Sequence, residues 1–109
     1  MQLNQPVVKR KDQVKAADAY EHNIVENADA FSIVITGGQG RKEAYGAENL
    51  KKAISSAQAL IQATAYEQEF MARDVMVYGV KGTNQALAGT WSRKFGWRPT
   101  HDRYNKLLA

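Results

Sequence analysis

Apolar and polar positions along the chain change period four times, and each change marks an element. From Lys11 to Ala28, Val14, Ala17, Ile24, Val25 and Ala28 fall roughly on one side of a helix, a thin face interrupted by Asp18 and Glu21. Ala30 to Thr36 alternates strictly, with Phe31, Ile33 and Ile35 against Ser32, Val34 and Thr36, and is rich in β-branched residues; this predicts a strand with one buried face. Gly37-Gly38-Gln39-Gly40 follows as a turn, and Arg41 to Tyr45 returns as a second, weaker strand of a hairpin.

From Ala47 the spacing becomes helical, with Leu50, Ala53, Ile54, Ala57, Leu60 and Ile61 on one face and Lys51, Lys52, Ser55 and Gln58 on the other. The small Ala53 and Ala57 let such a helix lie close on a sheet, and the pattern runs on towards Phe70. Val75 to Val80 is a second convincing strand, with Val75 and Val77 opposite Met76, Tyr78 and Val80; Lys81-Gly82-Thr83-Asn84 supplies a turn before Ala86 to Trp91. The order helix, hairpin, helix, hairpin, tail predicts an α+β fold. Its expected form is a mainly antiparallel sheet of about four strands, one long helix packed on one face, and a weaker N-terminal helix.

Composition agrees with one small domain. The chain has 109 residues, 44% of them apolar and 24% charged, which suits a folded protein rather than a disordered one. Met1 to Arg10 is polar, contains Pro6 and has no period, so residues 1–10 are expected to form a flexible arm on a domain of residues 11–109. Cysteine is absent, which excludes disulfides, thiolate zinc sites and a cysteine nucleophile. With neither a signal-peptide core nor a membrane-spanning apolar run, the expectation is a cytoplasmic protein with no membrane partner.

Charge alters this picture at one end. Residues 92–109 hold five bases and one acid, a balance of +4 that equals the net charge of the chain, while residues 1–91 are neutral. Phe95, Trp97 and Tyr104 lie among those bases. Arginine grips phosphate through two parallel hydrogen bonds and aromatic faces stack on unpaired bases. The candidate binding residues are therefore Arg93, Lys94, Trp97, Arg98, Arg103, Tyr104 and Lys106, with Lys9, Arg10, Lys11, Arg41 and Lys42 as a secondary basic surface. The competing role for Trp91, Phe95 and Trp97 is closure of the core, since a small domain needs its large aromatics for burial.

Other motifs carry less. Gly37 to Lys42 has the glycine and base content of a phosphate loop, but neither nucleotide-binding glycine spacing nor that of an acetyltransferase pyrophosphate loop. His22 and His101 stand in different elements without metal-ligand spacing, Ser55 and Ser56 lie inside a helix, and Glu67, Glu69 and Asp74 suit a solvated helix end. No catalytic residue, cofactor or metal is expected. The sequence thus predicts a small non-enzymatic protein that contacts nucleic acid or a nucleoprotein complex through its C-terminal surface. The alternative is a protein-binding inhibitor or adaptor, such as a phage-encoded counter-defence (anti-CRISPR-like) protein acting on a host complex, because Arg, Trp and Tyr also dominate protein interfaces. Exposed strand edges leave a homodimer open.

Overall fold

The computed structural model describes residues 11–36, 42–63 and 75–109. The elements run α1 (Lys11–Glu26), β1 (Ala30–Thr36), β2 (Lys42–Ala47), α2 (Leu50–Ala63), β3 (Val75–Lys81), β4 (Asn84–Ser92), β5 (Gly96–Pro99) and a C-terminal 3-10 helix (Asp102–Leu108). Five strands, one more than the sequence pattern predicts, form a sheet ordered β2-β1-β3-β4-β5 in which every pairing is antiparallel. The extra strand comes from the expected tail. Gly96-Trp97-Arg98-Pro99 is too short to show alternation, and its proline is tolerated because β5 is an edge.

Strand parity sorts the side chains into two faces. Phe31, Ile33 and Ile35 of β1 and Val75 and Val77 of β3 are buried on one face, together with Leu50, Ala53, Ala57 and Ile61 of α2 and Ile24 and Val25 of α1. Both helices therefore lie on the same side. The N-terminal helix, expected as the minor one, covers β3 and β4, and α2 lies over β1 and β3. The close seat of α1 depends on Gly79, where an added Cβ would stand 3.0 Å from the Val25 Cα.

The opposite face carries the alternate residues. Val34 stands across from Met76, Met76 from Thr90 and Thr90 from Arg98, making one row; Ser32, Tyr78 and Leu87 make the next. These side chains are half-buried except for the exposed Arg98. Two local devices set the ends of elements: Asn49 caps α2 by accepting the Lys52 backbone N–H at 2.8 Å, and Gly82, at φ +61°, makes the turn between β3 and β4. The continuation of α2 towards Phe70, the loop Gly37 to Arg41 and the arm 1–10 lie outside the described residues. Among the described residues no helix is long and apolar enough to cross a membrane.

Candidate nucleic-acid interface

The cationic segment is divided by the fold into two regions with different work. The first is the turn from β4 into β5. Ser92, 8% exposed, accepts the Phe95 backbone N–H on its hydroxyl at 3.1 Å, and Gly96 enters β5 with φ +69°. The pairing Trp91 to Trp97 and Thr90 to Arg98 then sends successive side chains of β5 to opposite faces. Trp97 goes to the helix side, where it packs on the core beside the bare backbone of Gly89 and donates its indole N–H to the Asn105 Oδ1 at 3.2 Å. Arg98 goes to the open side.

There the Arg98 guanidinium lies 4.8 Å from the centroid of the Phe95 ring, and the Lys94 ammonium lies 5.3 Å from the same ring. Phe95 is 59% exposed. Cations over an aromatic face are attracted by its quadrupole, so the ring holds both bases at one place on the surface. Arg93 points elsewhere and donates to the Ile61 carbonyl at 3.2 Å, where a cation complements the C-terminal end of α2.

The second region is the C-terminal 3-10 helix, whose candidate residues bond to α1. Tyr104 is fully buried, and its hydroxyl is 2.9 Å from the His22 Nδ1 on α1. Burial pushes its phenol up to about 12, with the charges of Glu21 and Glu26 acting in the same direction and Arg103 opposing them. A tyrosine held in this way has no face to offer a ligand. Arg103 donates to both carboxylate oxygens of Glu26, at 2.6 and 2.9 Å, and Lys106 reaches the same carboxylate at 3.1 Å. Those hydrogen bonds, chiefly the one from Arg103, hold the Glu26 carboxyl below its ordinary range. Two of the candidate cations thus share one carboxylate while their side chains stay about half exposed.

The two histidines, read from the sequence as unrelated, meet edge to face with ring centroids 4.6 Å apart, and Tyr104 packs against each at 5.4 Å. One donor atom each from Asp18, Glu21 and His101 lies within 4.8 Å of the others, a set able to hold a divalent ion; the Glu21 Oε1 and His101 Nε2 are 4.0 Å apart. The overlooked signal is Asp18-x-x-Glu21-His22, whose spacing puts three polar groups on one side of α1. A separate cleft of about 400 Å³ opens between β2 and α2, lined by Tyr45, Gly46, Ser56, Ala59 and Leu60. The Tyr45 hydroxyl donates to Glu43 at 2.7 Å, which raises its phenol above the ordinary range.

Of the secondary basic residues, Lys42 is exposed at the start of β2, and Lys11 begins α1. Lys9, Arg10 and Arg41 lie outside the described residues, as do Glu67, Glu69 and Asp74. The residues brought together on the surface are Lys94, Phe95 and Arg98. Comparison with protein-family models, with curated proteins and with solved structures gives no match to this chain.

Proposed function

We propose that the protein is a non-enzymatic nucleic-acid-binding protein whose contact surface is the β4–β5 turn, with Lys94, Phe95 and Arg98 at its centre. The observation that carries this is the exposed Phe95 ring with a guanidinium 4.8 Å and an ammonium 5.3 Å from its centre. An aromatic face offers stacking to a base, and adjacent cations offer phosphate contacts; one nucleotide presents both partners. Arg93, Arg103, Lys106, Trp97 and Tyr104 support this turn and the helix behind it, rather than touching the ligand. The surface has few cations, so binding is modest and salt-sensitive.

Fluorescence anisotropy with labelled DNA and RNA, single-stranded and duplex, at low salt tests the proposal. Wild-type protein is expected to bind, and the double change Lys94→Glu and Arg98→Glu is expected to weaken binding at least about tenfold. No binding by the wild type, or unchanged binding by the double variant, refutes it.

A further inference from the structure

Beyond the turn, and resting on the nucleic-acid reading above, we infer that the open face of the sheet is a stacking platform for single-stranded nucleic acid. Both described helices pack on one side of the sheet, and strand parity fixes what the other side presents. Its middle is apolar and aromatic: Val34, Met76, Tyr78 and Leu87 are neighbours across β1, β3 and β4, and all are half-buried. A contiguous apolar surface of this kind on a sheet is where a ligand or partner sits.

Charge narrows the occupant. The only acid in the five strands is Glu43, which opposes Ile35 and therefore belongs to the helix-covered face. Among the described strand residues the open face carries no acid, and its edges carry bases: Lys42 on β2 and Arg98 on β5, four strand spacings apart, roughly 19 Å. Such a surface complements a polyanion with apolar faces. A second copy laid on it would bring cationic edges against cationic edges, with no acid among the described strand residues of that face to meet them. A duplex also fits poorly, because its base faces are stacked within the helix and cannot reach Tyr78, whereas an unpaired strand exposes them.

The Arg98–Phe95 stack stands at one edge of this platform and makes it continuous with the turn. Bases of a bound strand stack on Tyr78 and against the Met76 and Leu87 side chains, while its phosphates meet Arg98 and Lys42. Because every base has an aromatic face, the platform tolerates many sequences.

The experiment compares a single-stranded oligonucleotide with its duplex by anisotropy, using wild type, Tyr78→Ala, Tyr78→Phe and Arg98→Glu. Wild type is expected to prefer the single strand by at least about tenfold. Tyr78→Ala is expected to lose about tenfold on the single strand, with Tyr78→Phe retaining wild-type affinity, as loss of one stacked base predicts. As a measurement independent of the folding of Tyr78→Ala, the Met76 methyl resonance, assigned with Met76→Leu, is expected to move upfield under a stacked base when oligonucleotide is added. Equal affinity for both ligands with a still Met76 methyl overturns the platform, while weakening by Arg98→Glu in that case leaves the turn as the binding surface. Absence of binding to either ligand overturns both. A concentration-dependent dimer that Tyr78→Ala dissolves gives the face to a second copy and overturns the platform.

Discussion

Tyr104 separates a structural role from a binding role by its response to two substitutions and to alkaline pH. Its side chain buries roughly 200 Å². At about 25 cal/mol per Å² that contributes up to about 5 kcal/mol, and truncation of an aromatic in a packed core costs about 3–5 kcal/mol. Tyr104→Ala is expected in that range. Tyr104→Phe keeps the ring and removes only the hydrogen bond to His22, a loss of about 1 kcal/mol at neutral pH. The phenol titrates at about 12 in the folded chain against an ordinary 10.0. Because the folded value is raised, the stabilisation is complete below the unfolded pKa and is lost as pH rises through the window from 10 to 12, by about 3 kcal/mol in all. Phenylalanine has nothing to lose there. The stabilities of wild type and Tyr104→Phe, measured by urea unfolding with tryptophan emission from neutral pH upward, are therefore expected to cross inside that window, with wild type the less stable above the crossing. Parallel curves, or a Tyr104→Ala cost below about 1 kcal/mol, refute the placement of this ring in the core. Tyr104→Phe is also expected to leave oligonucleotide affinity unchanged.

Glu26→Gln removes the carboxylate shared by Arg103 and Lys106, whose side chains are 49% and 58% exposed, so the expected cost at neutral pH is only about 1 kcal/mol. The folded carboxyl is depressed, so this contribution is present above the unfolded pKa and disappears as pH falls through the lower folded one; the gap between wild type and variant, read from thermal melts, is expected to close below about pH 4. Gly89→Ala would place a Cβ 2.5 Å from the Arg98 carbonyl oxygen and 2.8 Å from the Trp97 Cζ3, forcing β5 outward; a loss of about 1–3 kcal/mol with a red shift in tryptophan emission is expected, and unchanged emission refutes the seating of Trp97. With two to four phosphate contacts, the slope of log affinity against log salt is expected near about −1.5 to −3 on a single strand, and Arg98→Gln should reduce its magnitude by about 0.7.

What could be read from the residues was what alternates or repeats. Phe31, Ile33 and Ile35 announce β1, Val75 and Val77 announce β3, and Leu50, Ala53, Ala57 and Ile61 announce α2; all are buried as that periodicity requires. The α1 pattern was diluted because among its described side chains only Ile24 and Val25 are fully buried while Ala17 is exposed, so a helix seated on β3 and β4 resembled a minor one. The fifth strand and the 3-10 helix were hidden for another reason. Their cohesion comes from partners far along the chain, Trp91 for Trp97, His22 for Tyr104 and Glu26 for Arg103, which local spacing does not encode. The basic, aromatic composition of residues 92–109 was visible at once, but composition cannot divide such a segment. Only strand parity separates Trp97 from Arg98, and only the docking of the 3-10 helix brings Arg103 and Lys106 to Glu26.

The bond between Tyr104 and His22 spans 82 positions, and the one between Arg103 and Glu26 spans 77. Those lengths bear on how the molecule assembles. Loop closure of that size must be met before the contacts reward it, so α1 cannot gain its last layer from the early sheet alone. The hairpins β1–β2 and β3–β4 close locally, whereas the contacts between α1 and the 3-10 helix are expected to form late. During synthesis α1 is therefore expected to wait, without its 3-10 helix contacts, for residues about eighty positions later, an interval of about 4–16 s at ordinary elongation rates.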